Sequence, residues 1–346
     1  MKSPENEQLY TLNACNWELT LRCTLRCIHC GSTAGKKRDN ELTLPECMNV
    51  AGELVRMGCR ELTFIGGEVF LFKGWDRLAS YLIDEGVIVN MVSNGYKIRE
   101  DDIRRLKEIG LENIGISIDG MEKNHNYIRG RDDAFDEIRK TLAMLRKHEV
   151  SCGVVTSLIQ RNVRDLERMY GFLVGQGVSV WQLQLVNPMG SMLHSDEKMI
   201  NTKKIRKITS FIREKNKDRT MVVIAADSIG YFDENEVYIR GTRSPLCYWT
   251  GCQAGTASIF IDSVGNVKGC GSLYSDVFIE GNVRSSTLQA IWNDPSAFAY
   301  NRHYTPDLLE GKCGTCDMSD VCKGGCRSSN YFNTGSLYKN VYCSYS

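Results

Sequence analysis

Eleven of the fifteen cysteines in this 346-residue chain fall into two groups with short, fixed spacings, and no other feature restricts the fold as strongly. The first group is Cys23-x3-Cys27-x2-Cys30, in the run Leu21-Arg22-Cys23-Thr24-Leu25-Arg26-Cys27-Ile28-His29-Cys30-Gly31. The second begins at Cys247 and ends at Cys343. A cubane 4Fe–4S cluster has four iron corners and takes thiolates as its ordinary protein ligands. Three cysteines within eight residues cap three corners and leave one iron open to a small molecule, so chemistry is expected there. The alternative is a zinc knuckle, but zinc sites usually come as paired C-x2-4-C hooks supplying four ligands. A lone triplet leaves that set incomplete.

The run resembles the signature of the radical S-adenosylmethionine (SAM) enzymes, C-x3-C-x2-C with an aromatic residue before the last cysteine. His29 holds that place. The resemblance implies that Cys23, Cys27 and Cys30 carry a 4Fe–4S cluster and that SAM chelates its open iron. Electron transfer into the sulfonium then yields methionine and a 5′-deoxyadenosyl radical that abstracts hydrogen from unactivated C–H bonds; the cofactor supplies the hard chemistry and the protein positions it. Further runs resemble the family's SAM-binding motifs. Gly66-Gly67-Glu68 follows a β-rich run at 61–65, and glycine permits close backbone approach. Asn94 lies in Ser93-Asn94-Gly95, and Ser117 and Asp119 in Ser117-Ile118-Asp119-Gly120. By the same resemblance Arg129 is a candidate to pair the SAM carboxylate. Taken singly, Asn-Gly and Asp-Gly are ordinary turn signals; their order after the cysteine run carries the weight.

From residue 17 to about 226 short apolar runs alternate with amphipathic segments. Apolar residues recur at three- and four-residue steps, as at Ile138, Leu142 and Leu145, which one helix face requires. Helices are expected over 45–57, 74–85, 100–109, 134–148, 163–175 and 202–215. Strands are expected over 16–21, 61–65, 87–92, 113–118, 152–158 and 178–186. Strands alternating with helices predict an α/β fold with a parallel sheet. With the cysteines after the first strand, the pattern resembles the family's partial (β/α)6 barrel, whose sites lie at the C-terminal strand ends. The expected organisation is an N-terminal extension at 1–16, a barrel at 17–226, a bridge at 227–246 and a small cysteine-rich domain at 247–346.

The last segment resembles the SPASM domain of radical SAM enzymes that modify peptides and proteins. Its seven-cysteine pattern is matched by Cys252, Gly265 and Cys270, then Cys313-x2-Cys316-x5-Cys322-x3-Cys326, then Cys343; Cys247 adds an eighth ligand. The resemblance implies one auxiliary 4Fe–4S cluster on Cys247, Cys252, Cys270 and Cys326 and a second on Cys313, Cys316, Cys322 and Cys343, three clusters in all. Eight thiolates for two clusters leave no open corner, which favours electron transfer over direct substrate binding. Hook-like pairs also suit a zinc ribbon. A hairpin is expected around Ser263-Val264-Gly265. The four other cysteines, Cys15, Cys47, Cys59 and Cys152, read as small buried hydrophobes.

Lys+Arg 43 against Asp+Glu 42 argues against a nucleic-acid surface built on bulk charge. The first residues lack the apolar core of a signal peptide, and no apolar stretch is long enough to span a membrane. Cysteines with cluster spacing and no signal predict the reducing cytoplasm. The resemblance implies a precursor peptide or protein as substrate, modified by a thioether or carbon–carbon crosslink or by epimerisation, with a flavodoxin- or ferredoxin-type electron donor. Only about 16 residues precede the first strand, so leader recognition is expected from a separate protein or from the barrel surface. Two alternatives are formylglycine formation as in anaerobic sulfatase maturases and dehydrogenation of a small molecule. Sulfatase maturases typically place an Asp after the ligand matching Cys270, where this chain has Gly271. Trp181, Gln184, Asn187 and Met189 are candidates for the substrate side.

Overall fold

The computed structural model describes residues 10–226, 229–240 and 248–345. Seven strands run through the first two thirds of the chain: β1 (Ala14–Glu18), β2 (Glu61–Ile65), β3 (Ile88–Ser93), β4 (Asn113–Ser117), β5 (Cys152–Leu158), β6 (Val180–Leu185) and β7 (Val222–Ala225). Three follow in the cysteine-rich part: β8 (Ser258–Ile261), β9 (Asn266–Lys268) and β10 (Gly281–Asn282). The helices between the first seven are α1 (Leu44–Arg56), α2 (Trp75–Asp84), α3 (Glu100–Glu108), α4 (Glu122–Arg129), α5 (Ala134–Lys147), α6 (Leu166–Gly175) and α7 (Ile205–Lys215). All ten strands join one sheet in the order β10-β9-β8-β1-β2-β3-β4-β5-β6-β7. From β8 through β1 to β7 every pairing is parallel, and only the β8–β9 and β9–β10 pairs are antiparallel. The fold is an α/β partial barrel, as the alternation predicts.

Period-two burial explains how the sheet divides inside from outside. Leu62 and Phe64, Val89 and Met91, Ile114 and Ile116, and Trp181 and Leu183 point to the helices and are almost wholly buried. Each such side chain contributes roughly 1.5–3 kcal/mol by leaving water. The alternate positions, among them Asn16, Glu18, Ser157, Gln182 and Gln184, face the barrel interior and are polar. Helix starts are equally local in origin. Thr43 caps α1 in a reciprocal box with Glu46, with Pro45 in the first turn. The buried face of α1 includes Cys47, and Cys15 is buried on β1, in keeping with their reading as small hydrophobes.

Three elements differ from expectation. Strand β1 ends at Glu18 rather than at 21, because the chain turns off to carry the cysteine loop; there Thr20 Oγ1 and Leu21 N donate to the Glu41 carboxylate, both at 2.8 Å. Helix α4 and strand β7 were not expected at all. The expected hairpin forms as β8 and β9, but β8 also pairs with β1, so the cysteine-rich part continues the barrel sheet. Among the described residues no helix is long and apolar enough to cross a membrane.

Candidate active site

The cysteine loop sits over the C-terminal ends of β1 and β2 and is held by backbone. Gly67 N donates to Thr20 O (2.7 Å), Glu68 N to Arg22 O (2.8 Å) and Gly35 N to Leu21 O (2.9 Å). A Cβ on Gly66 would lie 2.5 Å from Thr20 O, and one on Gly67 would strike Leu21 O at 2.5 Å and Arg22 O closer still. Glycine is required here by the cysteine loop itself, a reason other than the cofactor approach expected above. On the far side, Ser191 N donates to Cys30 O (2.9 Å), which seats Met189 against Gly31.

Cys23, Cys27 and Cys30 line one cavity of about 130 Å³ with Gly66, Gly67, Asn94, Ser117 and Arg129. Asn94 Nδ2 reaches Cys23 Sγ (3.5 Å) and Arg129 Nη1 reaches Cys27 Sγ (3.6 Å). Burial pushes the Cys27 thiol up to about 12, against the pull of Arg129. The set fits a cluster with three protein ligands: three sulfurs share one space, and N–H donors approach two of them. Arg129 Nε is buried without a partner, so the same cavity also offers a free donor to an anionic group.

Two of the expected cofactor contacts are turned to other partners. Asp119 is fully buried; its Oδ2 meets His29 Nε2 and Arg129 Nη2, both at 2.6 Å, and its Oδ1 accepts from Ser157 N (2.9 Å). Burial alone would raise its pKa, but Arg129 and His29 outweigh that and hold it well below the usual carboxylate range. Asp119 therefore anchors His29 and Arg129, with no oxygen left unpaired. Glu68 accepts from Ser93 Oγ (2.9 Å), Asn94 N (2.9 Å) and Phe70 N (3.4 Å), which clasps the β2 end to the β3 end. Its burial raises the carboxyl to about 7 despite those hydrogen bonds.

His125, not singled out from the sequence, belongs to this hub. Its Nδ1 accepts from Asp119 N (3.1 Å). Burial, with Arg129 beside it, pulls the imidazole down to about 3, so the ring is neutral at pH 7. The spacing of His125 and Arg129, one helical turn apart, was the available signal.

A larger cavity of about 720 Å³ opens from His29, Cys30 and Gly66 toward Cys270 and Cys326. Gln184, Asn187 and Met189 line it as expected. Trp181 does not: it is buried in the core and donates to Thr156 Oγ1 (2.8 Å). Asn187 also joins the barrel to the cysteine-rich part through Ser328 Oγ (3.3 Å). At Gly271 a Cβ would lie 2.7 Å from the Phe260 ring, so a larger residue there would have to displace Phe260. Cys313, Cys316, Cys322 and Cys343 surround a separate small cavity of about 30 Å³, as one ligand set would. Burial pushes the Cys322 thiol up to about 12. Gly269, next to Cys270, packs against Ala254, two places after Cys252, which brings those two segments together, and Cys247 lies outside the described residues. Among the described residues no three His, Cys, Asp or Glu side chains gather as tightly as a single metal ion requires.

Residues 17–173 match the Radical SAM superfamily, and residues 252–317 match SPASM, an iron–sulfur cluster-binding domain. The chain is 28% identical over 341 residues to an AdoMet-dependent heme synthase of Methanosarcina barkeri, covering 95% of each. It is 28% identical over 322 residues to the mycofactocin maturase MftC of Mycobacterium tuberculosis, covering 91% of this chain and 78% of that one. Streptococcus suis SuiB bound to S-adenosylmethionine shares the fold with a TM-score of 0.77 at 13% identity, covering 97% of this chain and 78% of SuiB.

Proposed function

The chain belongs to the radical SAM superfamily and carries a C-terminal SPASM module, and from that premise we propose that it is a peptide maturase. A reduced 4Fe–4S cluster with SAM bound supplies a 5′-deoxyadenosyl radical that abstracts hydrogen from carbon. Everything else falls to the protein. Cys23, Cys27 and Cys30 hold the cluster, with Asn94 and Arg129 directing N–H groups at two of the sulfurs. Arg129, kept in place by Asp119, has Nε free for the SAM carboxylate. Gly66, Gly67 and Ser117 form the wall against which SAM would lie, and His29 stands where that cavity meets the larger one. Two auxiliary clusters, three in all, would use Cys247, Cys252, Cys270 and Cys326, and Cys313, Cys316, Cys322 and Cys343. Cys270 and Cys326 stand on the far wall of the larger cavity, so a cluster held there would be an electron acceptor beside the substrate. A flavodoxin- or ferredoxin-type donor supplies electrons, and a separate protein or the barrel surface reads any leader.

One observation carries the choice of substrate. The 720 Å³ cavity is lined by the amides of Asn16, Gln182, Gln184 and Asn187 and the hydroxyls of Ser157, Ser272 and Ser328, alongside apolar Ile65, Leu185, Val186, Ile224 and Phe260, with no Lys or Arg among the described residues. Amides and hydroxyls match the paired donors and acceptors of a peptide backbone. A second reading, modification of an iron porphyrin, is favoured by the end-to-end likeness to the heme synthase. Among the described residues a porphyrin carrying several carboxylates would meet Glu18 as a carboxylate on the wall, and Glu18 is already paired with Arg38. The formylglycine reading lacks the expected Asp after Cys270, where this chain has Gly271.

The test is the mass of a small peptide encoded beside the gene, after anaerobic incubation with reconstituted protein, dithionite and SAM in ordinary and deuterated water. Loss of two hydrogens means a crosslink or dehydrogenation. A mass unchanged in ordinary water, with deuterium gained at one residue in deuterated water, means epimerisation. No change in either solvent while deoxyadenosine accumulates, together with conversion of an added iron coproporphyrin, would replace this reading by the second.

A further inference from the structure

Tyr300 lies where the segments that carry Cys252 and Cys270 come together. The short helix Ala299–Arg302 crosses both: Asn301 Nδ2 donates to Ala254 O (2.8 Å) and Arg302 Nε to Gly255 O (2.7 Å). The Tyr300 hydroxyl rests on Gly269, where an added Cβ would run into the phenol oxygen and sit 3.0 Å from the Ala254 Cβ. The hydroxyl is thus wedged between the residue two places after Cys252 and the residue just before Cys270. It is buried; Gly269 N–H approaches it as a donor, and no acceptor for its own proton is found among the described residues. A buried phenol almost always finds an acceptor, and the segments it sits between carry Cys252 and Cys270.

We propose that the Tyr300 hydroxyl donates a hydrogen bond to a sulfur of the auxiliary cluster bound by Cys252, Cys270 and Cys326, and that this bond raises the cluster's reduction potential. A donor aimed at a cluster sulfur favours the reduced state, because reduction adds negative charge there. The same cluster borders the substrate cavity through Cys270 and Cys326, so Tyr300 sets how readily that wall accepts an electron. The inference rests on reading these cysteines as ligands of one cluster.

The experiment is an EPR-monitored potentiometric titration of anaerobically reconstituted full-length protein. The relevant signal is the one lost in Cys252→Ala. Y300F removes only the hydroxyl and keeps the ring, with its edge contact to Phe278 at 5.9 Å. In Y300F that signal titrates at lower potential, by about a tenfold change in the reduced-to-oxidised ratio, or roughly 59 mV for one electron, while the other signals stay in place. Y304F is the control: its hydroxyl is also buried without a partner, but the cysteines acting on it are Cys322 and Cys313. It leaves the Cys252-dependent signal unmoved. An unmoved signal in Y300F, or an equal shift in Y304F, overturns the role of Tyr300. If Cys252→Ala abolishes no signal and leaves the iron content unchanged, the cluster reading itself falls, and the inference with it.

Discussion

Replacing Asp119 with Asn removes one negative charge and almost no volume from a position with no solvent exposure. In the native chain that carboxylate takes His29 Nε2 and Arg129 Nη2 at 2.6 Å each, and Ser157 N at 2.9 Å. Asn keeps an oxygen for Ser157 but places neither a charge nor two acceptors before His29 and Arg129. The Arg129 guanidinium is then buried without its counter-charge, and its Nε already lacks a partner. Leaving one member of a buried ion pair alone costs about 3–5 kcal/mol, so D119N should lose about that much stability. Urea unfolding of the reconstituted protein, followed by tryptophan fluorescence without oxygen, measures it. Removing the stranded charge in D119N/R129M should restore part of the loss, because the two sites are in contact and their effects do not add. A loss below about 1 kcal/mol for D119N, the range of an exposed pair, would refute the hub.

Gly67→Ala should displace the cysteine loop, since its Cβ meets the Leu21 and Arg22 carbonyls rather than a movable side chain; iron content should fall by about four atoms per chain, one cubane, with the SPASM signals kept. Glu68 should make the protein less stable as pH rises. Its carboxyl titrates near 7 when folded against 4.5 when free, so between those values the native state binds more protons than the unfolded one. Its contribution is full below about 4.5 and declines by roughly 3 kcal/mol by pH 7. E68Q should flatten that slope, read as unfolding free energy at pH 5 and pH 8.

Most of the barrel is legible in the sequence because its strands bury one face against helices and its helices carry apolar residues at helical steps. The runs at 61–65 and 152–158 match β2 and β5 to the residue. Helix α4 is invisible to that logic because its buried face is Asn124, His125, Ile128 and Arg129: the spacing is helical but the chemistry is polar. That face is polar because it builds the hub under the cysteine loop. Strand β7 was missed because four residues carry too little periodicity, and the β1–β8 pairing because contacts across more than 240 residues leave no local trace. At the site, the motif residues gather around the cysteine loop, and several meet partners other than those expected. Gly66 and Gly67 make room for backbone, Glu68 joins two strand ends, Asp119 holds two cations, and Asn94 addresses a cysteine. A linear motif records which residue stands at a strand end. Which neighbour its side chain meets depends on the strand beside it.

Whether a peptide occupies the cavity beside the open cluster is decided by following a hydrogen atom. Reduced protein and SAM are incubated with the neighbouring peptide carrying deuterium on its side-chain and α carbons, and the deoxyadenosine formed is weighed. The deoxyadenosine should carry deuterium, at a level that rises with the amount of peptide modified. Deoxyadenosine that stays unlabelled with the peptide, but takes up deuterium from a labelled iron porphyrin, would contradict it.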